Sequence, residues 1–303
     1  MTAIGFIGTG TIGNPMAARL IEGGQVVRVY DRQLGATVPL EKKGAQRAAS
    51  VREIADTCAV IFLSLPGPKQ IEEVMLDAQG LLAHALPGAT IIDLSTNALA
   101  LNRQLAGLAE ARGIHYLDAP VSGGKVGAAA GTLAIMVGGE RPAFEAIRHL
   151  LAYLGDHIFY LGGAGAGTLS KLINNQIFLC ASVLIQEGFV MGAKAGMDPS
   201  TVLEVLKVSS AGSLVTRASL VLSRKFDLDV FSLAIAAKDV EMALASGEAV
   251  GAPMPMTAAA SSVYQQALAA GLGEQDFFAT VQVLEAAAGV TLPPLRKPPT
   301  QRA

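Results

Sequence analysis

The sequence predicts an α/β protein in which an N-terminal, doubly wound, Rossmann-like sheet precedes an all-α C-terminal domain, joined to it by a long helix. Short apolar segments alternate with helical patterns as far as Tyr160, which is typical of strands connected by crossover helices. After Gly165 the strand signals stop and helical patterns continue. We therefore expect one domain over residues 1–163 and a second over residues 164–303. The last thirteen residues, 291–303, hold four prolines and three basic side chains, and are predicted to form a flexible tail.

Seven strands are predicted in the first domain. They cover residues 3–7, 26–30, 60–65, 90–93, 115–118, 133–137 and 157–160. In an open parallel sheet, ligands bind outside the carboxyl ends of the strands. The loops at residues 65–68, 95–97 and 119–124 are therefore expected to hold the ligand.

The first predicted strand runs directly into a glycine-rich loop and then into a helix. The loop reads Gly8-Thr9-Gly10-Thr11-Ile12-Gly13, the G-x-G-x-x-G arrangement of dinucleotide-binding folds. Its first glycine permits a tight turn, its second lets the backbone approach a pyrophosphate, and its third lets helix and strand pack closely. The positive end of the helix then faces the anion. We expect this loop, through Gly8, Gly10, Thr11, Ile12 and Gly13, to bind a dinucleotide.

An acidic residue follows the second predicted strand. Asp31 is placed to accept hydrogen bonds from an adenosine ribose and to repel a 2′-phosphate, which favours NAD. The next residue, Arg32, is able to pair with the 2′-phosphate of NADP. The sequence therefore predicts NAD as the cofactor and leaves NADP as the alternative.

Composition excludes several other classes of protein. With 303 residues, 51% of them hydrophobic, the chain is long enough to bury two cores. A net charge of −2 lacks the excess of basic residues that is typical of nucleic-acid-binding proteins. The longest apolar run, near residues 177–185, is shorter than the roughly 18 residues that span a bilayer, so we expect no membrane segment. The apolar N-terminus lacks a basic leader and is interpreted as the first strand rather than a signal peptide.

Cysteine and histidine usage predicts a metal-free protein of a reducing compartment. Cys58 and Cys180 are isolated in apolar segments, as expected for reduced core residues of a cytoplasmic protein. The four histidines, at positions 84, 115, 149 and 157, show no metal-ligand spacing with each other or with cysteine. We expect no metal site.

The candidate catalytic residue is Lys171. Glycines at 162, 163, 165 and 167 predict a loop, and the apolar run that follows has helical spacing. Lys171 then falls in the first or second helical turn, with Asn175 one turn further on the same side. The helix dipole and apolar neighbours both disfavour the charged ammonium, which suits proton exchange at moderate pH. A surface lysine near a helix start is the alternative interpretation.

Two further segments contain polar residues whose role the spacing alone does not decide. Ser122-Gly123-Gly124 follows a predicted strand, and its N–H and hydroxyl groups would suit a substrate carboxylate, although an ordinary tight turn explains the same residues. Lys125 either contacts a second acidic group of the substrate or is simply solvated. Lys238-Asp239, in a helical segment, has the spacing of a local charge pair on a helix surface.

Four motifs, in order, resemble the β-hydroxyacid dehydrogenase family, which includes 3-hydroxyisobutyrate dehydrogenase and tartronate semialdehyde reductase. They are GFIGTGTIGNPMAARL, DAPVSGGKVGAAAGTLAIMVGG, GAGAGTLSKLINNQ and FSLAIAAKDVEMAL. The resemblance implies that Lys171 is the proton donor. It also implies substrate contacts from Ser122, Gly123, Gly124, Asn175, Phe231 and Asp239, and cofactor contacts from Leu65, Pro66, Thr96 and Lys238. It further implies a homodimer or homotetramer in which the long helix takes part in association.

The expected activity is reversible hydride transfer between a nicotinamide and a small carboxylate-bearing hydroxy acid or semialdehyde. Lys171 would stabilise the developing oxyanion and supply its proton. Two alternatives remain, an imine reductase of the same fold and a non-catalytic dinucleotide-binding sensor or scaffold. Lys171 argues against the first, because those relatives lack the lysine, and the intact lysine, amide and anion loop argue against the second.

Overall fold

The computed structural model describes residues 3–227 and 232–295. The chain divides into two compact units, of which the first ends at Leu172 and the second begins at Ile173. This division lies inside a long helix, later in the chain than the predicted boundary between residues 163 and 164, which stays a prediction. Each unit is described by itself.

The first unit is built on a mostly parallel sheet, which confirms the predicted fold class. Its described strands are β1 (Ile4–Ile7), β2 (Val27–Tyr30), β3 (Gln46–Arg47), β4 (Val60–Leu63), β5 (Thr90–Asp93), β6 (His115–Asp118), β7 (Val121–Ser122), β8 (Ala134–Gly138) and β9 (His157–Gly162). The parallel part has the order β3-β2-β1-β4-β5-β6. Beyond it, β8 runs antiparallel to β6 and β7, and β9 runs parallel to β8. The sequence did not predict β3 and β7, because two residues are too few for a strand pattern.

Helices cover both faces of this sheet. They are α1 (Gly13–Glu22), α2 (Val38–Glu41), α3 (Val51–Thr57), α4 (Pro68–Leu76), α5 (Leu81–His84), α6 (Leu99–Glu110), α7 (Gly124–Ala130) and α8 (Arg141–Leu151), with a 3₁₀ turn at Leu34–Ala36. Alternation along the strands sends Phe6 and Phe62 into one core, where their rings lie 6.0 Å apart, and Ile7 and Leu63 into the other. Because both faces are buried at the centre of the sheet, β1 and β4 consist of apolar residues and glycine, which is why the sequence reveals them.

The second unit is helical, as predicted. Its helices are α9 (Ala166–Lys194), which begins in the first unit, α10 (Pro199–Lys207), α11 (Ser219–Ser223), α12 (Leu233–Ala249), α13 (Pro255–Ala269) and α14 (Val281–Ala288), with a 3₁₀ turn at Phe277–Thr280. Phe189, Val240 and Tyr264 are fully buried in its core. The Tyr264 hydroxyl is satisfied because it donates to the carbonyl oxygen of Leu179 at 3.2 Å.

The start of the predicted tail is packed against the second unit. Leu292 is 1% exposed, and its N–H donates to Glu285 Oε1 at 2.6 Å. The N–H of Leu295 donates to the carbonyl oxygen of Leu222 at 2.7 Å. The prediction of a flexible segment from Thr291 is therefore wrong for Leu292 and Leu295, because two leucines anchor a proline-rich stretch. Residues 296–303 lie outside the described part.

One described helix, α9, is long and apolar enough to cross a membrane by length and composition alone. The prediction that no segment reaches that length is therefore wrong, because it counted only the uninterrupted run at residues 177–185. A core helix of a folded protein meets the same criterion, and Leu179, Val183 and Phe189 of α9 are buried in the second core. The helix is thus weak evidence for a membrane.

Candidate active site

The glycine-rich loop between β1 and α1 is shaped for close approach of a ligand. Gly8 has a φ of +90°, a conformation that residues with side chains rarely adopt. A Cβ built on Gly13 would collide with the carbonyl oxygen of Gly8, so the third glycine keeps α1 close to the loop. Among the described residues, a Cβ built on Gly10 would meet nothing within 4 Å. The backbone at Gly10 therefore faces open space at the start of α1, and the loop fits a dinucleotide pyrophosphate.

Asp31, the residue after β2, is hydrogen bonded to this loop. Its Oδ2 accepts from the Thr9 N–H at 2.7 Å and from Thr9 Oγ1 at 3.3 Å. Its Oδ1 accepts from the Gln33 N–H at 2.8 Å and retains accepting capacity. The carboxylate is therefore held where β2 meets the loop, as a ribose acceptor requires. Arg32 is exposed beside it.

The other predicted cofactor loops lie at the same edge of the sheet. Ile7, Leu63 and Asp93 are register partners at the carboxyl ends of β1, β4 and β5, so the loops that follow these strands are neighbours. Leu65 donates its N–H to Ser95 Oγ at 2.9 Å, which ties the second loop to the third. Leu65 and Thr96 are half-buried and Pro66 is exposed.

The Ser122 turn combines a short strand with two glycines. Ser122 ends β7 and is half-buried, whereas Gly123, Gly124 and Lys125 are exposed. The φ angles are +134° at Gly123 and +62° at Gly124, so both positions favour glycine. These angles account for the glycine pair as a tight turn leading into α7, and the predicted role in binding a carboxylate stays a prediction.

Lys171 lies in the second turn of α9 and is half-buried. The turn before it is fixed to the sheet of the first unit. Asp118, at the end of β6, accepts the N–H groups of Gly165 at 2.8 Å and Thr168 at 2.7 Å. These are donors that a helix start leaves without an intrahelical partner. Lys171 thus belongs to a segment held by the unit that carries the dinucleotide loop.

In the second unit, Asn175 and Asp239 are directly bonded. Asn175 Nδ2 donates to Asp239 Oδ2 at 2.6 Å, and both residues are buried. Lys238 Nζ lies 3.1 Å from Asp239 Oδ1, yet among the described residues that oxygen accepts no hydrogen bond of good geometry. The interpretation of Lys238-Asp239 as a surface charge pair is therefore wrong, because the carboxylate is 1% exposed and oriented by an amide.

The predicted residues fall into two groups, one in each unit. The first unit contains the cofactor loops, the Ser122 turn and Lys171, and the second contains Asn175, Lys238 and Asp239. Phe231 lies outside the described residues. Asp93 and Asp118 also support the site but were not predicted from the sequence. The available signal was an aspartate ending each of two neighbouring apolar strands.

Family models match nearly the whole chain. Residues 3–162 match the model described as the NAD-binding domain of 6-phosphogluconate dehydrogenase. Residues 165–284 match the model described as NAD-binding of NADP-dependent 3-hydroxyisobutyrate dehydrogenase. Both groups of residues therefore fall within family models whose descriptions name NAD binding.

Individual relatives match this chain in sequence over nearly their full lengths. The 2-(hydroxymethyl)glutarate dehydrogenase of Eubacterium barkeri is 36% identical over 95% of this chain and 97% of its own length. The structure of Mycobacterium tuberculosis 3-hydroxyisobutyrate dehydrogenase with L-serine is 31% identical, covers 94% of this chain and 99% of its own, and superposes with a TM-score of 0.84. An imine reductase from Pseudomonas sp. is 21% identical, covers 93% of this chain and 99% of its own with a TM-score of 0.60, and shares the fold alone. The chain therefore belongs to the β-hydroxyacid dehydrogenase family and is an NAD(P)-dependent oxidoreductase.

Proposed function

We propose that this protein interconverts the CH–OH group of a small 3-hydroxy acid and the corresponding semialdehyde acid, using NAD in preference to NADP. The observation that carries the proposal is the position of Lys171 in the second turn of α9, in the unit whose sheet edge bears the glycine-rich loop. The names of the relatives support the substrate class, since 2-(hydroxymethyl)glutarate and 3-hydroxyisobutyrate both carry a hydroxymethyl group beside a carboxylate.

A bound nicotinamide supplies the hydride acceptor for oxidation, or the hydride donor for reduction, at its C4 carbon. Lys171 donates the proton in reduction and accepts it in oxidation. In reduction its ammonium stabilises the negative charge that grows on the carbonyl oxygen and then donates a proton to it. In oxidation the neutral amine takes the hydroxyl proton while the carbon–hydrogen bond breaks. The same nitrogen serves both directions, as microscopic reversibility requires.

Substrate orientation is assigned to the carboxylate-binding residues. Ser122, Gly123 and Gly124 offer hydroxyl and N–H donors in this role, together with Asn175. The Asn175 amide has one N–H committed to Asp239, which fixes its plane and leaves the second N–H for a substrate carboxylate. A substrate held at its carboxylate presents one face of its carbonyl carbon to the hydride.

The cofactor preference follows from Asp31. Its carboxylate, held by the N–H of Thr9, would accept ribose hydroxyls and repel the 2′-phosphate of NADP. Leu65, Pro66, Thr96 and Lys238 are assigned to the cofactor by family resemblance.

The experiment is a substrate panel followed by NADH absorbance. It contains 3-hydroxyisobutyrate, 2-(hydroxymethyl)glutarate, L-serine, tartronate semialdehyde, succinic semialdehyde, glyoxylate and a cyclic imine. Turnover of at least one hydroxy acid or semialdehyde, with none of the imine, supports the proposal. Turnover of the imine alone would make the protein an imine reductase. Tight NADH binding without turnover of any member would favour a sensor or scaffold.

The same proposal includes a homodimer or homotetramer built on α9. Ile173, Ile177, Leu184 and Met191 are between 48% and 72% exposed, and their spacing places them on one face of the helix. An exposed set of apolar side chains on one helix face is typical of an association surface. Light scattering after size exclusion should give a mass of two or four chains, and Ile177→Lys combined with Leu184→Lys should reduce it to one.

The remaining partners and the location follow from charge and cysteine state. A net charge of −2 argues against a nucleic-acid partner. The buried core residues of α9 argue against membrane insertion, and Cys58 and Cys180 are both free thiols, which suits the cytoplasm. Cell fractionation tests the cytoplasmic location.

A further inference from the structure

A network of buried polar side chains joins the cofactor edge of the sheet to the first turn of α9. It consists of Asp93, Ser95, Asn97, Asn102, Tyr116, Asp118 and Thr168, all within the first unit and each no more than 5% exposed. Buried polar groups are costly unless they are bonded, so a network of this size implies a role that apolar packing would not supply.

At the helix end, the network holds both backbone and side chain. The two oxygens of Asp118 accept the N–H groups of Gly165 and Thr168. The Thr168 hydroxyl accepts a hydrogen bond from Asn102 Nδ2. Burial raises the pKa of Asp118, and the two N–H donors oppose that rise. The first turn of α9 is therefore bonded to β6 and to α6 at once.

At the cofactor end, the network reaches the loop after β4. Asn102 Oδ1 accepts from the Tyr116 hydroxyl and from Asn97 Nδ2, both at 2.6 Å. Asp93 accepts from the Ser95 N–H at 3.0 Å and from Asn97 Nδ2 at 3.4 Å. It also lies 3.0 Å from the Tyr116 hydroxyl, whose single proton is shared between Asp93 and Asn102 Oδ1. Ser95 Oγ in turn accepts the N–H of Leu65. An unbroken series of hydrogen bonds thus connects a predicted cofactor residue with Thr168.

Close backbone packing reinforces the attachment. A Cβ built on Gly138 of β8 would lie 2.6 Å from Asp118 Oδ1 and 2.8 Å from the Gly167 nitrogen. A Cβ built on Gly167 would collide with the carbonyl oxygens of Asp118 and Met136. At Gly138 and Gly167 the backbone of the first turn of α9 therefore lies directly against the backbone of the sheet.

We propose that Asp118, Asn102 and Thr168 are positioning residues of the reaction, which hold the turn before Lys171 and so fix the lysine relative to the cofactor loops. This inference rests on the proposed function of Lys171. Thr168 precedes Lys171 by three residues, so a displaced first turn displaces the lysine with it. A misplacement of about 1 Å is able to cost on the order of 100-fold in rate.

The test compares Thr168→Val with Thr280→Val. Both wild-type threonines are completely buried, and both hydroxyls are bonded to an amide side chain, Asn102 for Thr168 and Gln186 for Thr280. Both substitutions remove a buried hydroxyl bonded to an amide side chain, Thr168 accepting from Asn102 Nδ2 and Thr280 donating to Gln186 Oε1, so comparable losses in Tm are expected. Thr168→Val should lower kcat between about tenfold and a hundredfold, with an unaltered Kd for NADH. Thr280→Val should leave kcat unchanged, and Thr168→Ser, which keeps the hydroxyl, should restore it.

Hydrogen exchange provides a measurement that does not depend on turnover. In Thr168→Val and Asp118→Asn, the amides of residues 165–172 should exchange faster than in the wild type, while those of residues 173–194 keep their rates. Unchanged exchange in residues 165–172 would overturn the inference even if no substrate had been found. Faster exchange with an unaltered kcat would show a structural role only. Absence of wild-type turnover with the whole panel would instead count against the proposed function.

Discussion

Asn175 donates a hydrogen bond across 2.6 Å to the buried carboxylate of Asp239, 64 residues later in the chain. Asn174 Nδ2 donates to the Asn175 oxygen at 3.0 Å, so the amide is held from both ends. Under the proposed function, Asp239 acts on the substrate through the orientation of Asn175.

Asp239→Asn should therefore impair substrate binding more than cofactor binding. The substitution replaces a charged acceptor with an amide, and loss of a charge-assisted hydrogen bond costs about 1.5–3 kcal/mol. We expect KM for the hydroxy acid to rise about tenfold or more, with a smaller change in the Kd for NADH. A Kd that rises as much as KM would show that Asp239 acts mainly through Lys238 on the cofactor. Steady-state kinetics and NADH fluorescence titration give the two constants.

Asp31→Ser should shift cofactor preference toward NADP. Serine removes the charge that repels a 2′-phosphate but keeps a hydroxyl that is able to accept from the Thr9 N–H, so the glycine-rich loop stays tied. The ratio of kcat/KM for NADP over NAD should increase by about tenfold or more, equivalent to about 1.4 kcal/mol. Arg32→Ala is the matched control and should lower that ratio. An unchanged ratio in Asp31→Ser would make Arg32 the determinant.

The pH dependence of stability should reveal Asp93. Complete burial raises its pKa to about 6, and hydrogen bonds from Ser95 and Tyr116 only partly oppose the rise. Because this value lies above the unfolded pKa of about 3.9, the folded state binds the proton more tightly. The associated stability is fully present below about pH 4 and is lost as pH rises through about 6.

The Asp93→Asn variant has no carboxyl to titrate at this position, so comparing it with the wild type isolates the contribution of Asp93 to the pH dependence of stability. The free energy of unfolding of the wild type minus that of the variant should fall by about 2 kcal/mol between pH 4 and pH 7, at roughly 1.4 kcal/mol for each pKa unit. Urea denaturation at several pH values measures it. Asp156→Asn removes an exposed carboxyl and serves as the control. A difference that stays constant with pH would contradict the assignment.

Truncation should separate the docked and terminal parts of the C-terminal segment. A chain ending at Leu295 keeps the Leu292 and Leu295 contacts and should match the wild-type Tm. A chain ending at Thr291 loses the buried Leu292 side chain and one bond to Glu285, which is otherwise held by Arg224 at 2.8 and 3.0 Å. We expect it to lose about 2–5 kcal/mol of stability. Equal melting temperatures for the two truncations would show that Leu292 contributes nothing.

The sequence predicts the sheet and the glycine-rich loop well, because both are encoded locally. Short apolar segments bounded by turn residues reveal the main strands, and glycine spacing reveals the turn at Gly8 and Gly13. By contrast, the Thr168 N–H donates to the Asp118 carboxylate, 50 residues earlier in the chain, and no local sequence pattern predicts that hydrogen bond. The burial of Asp239 cannot be predicted from the sequence either, because the preceding residue, Lys238, gives it the spacing of a surface charge pair.

The tail shows a different reason for failure. Composition identifies a segment rich in proline, but it does not show whether two leucines within it find an apolar surface. The Leu292 side chain is buried. Its backbone N–H donates to the Glu285 carboxylate, which Arg224 also holds. Such docking depends on tertiary structure.

The catalytic role of Lys171 is tested by measuring the turnover of Lys171→Ala and Lys171→Arg together with the NADH affinity of the same two variants. Lys194→Ala, at the last residue of the same helix, is the matched control and should behave as the wild type. We expect kcat to fall at least about 100-fold in Lys171→Ala. Arginine keeps the charge but holds its proton at accessible pH, so Lys171→Arg should fail as well. The Kd for NADH should stay unaltered in both, whereas near-normal turnover by Lys171→Ala would contradict the account.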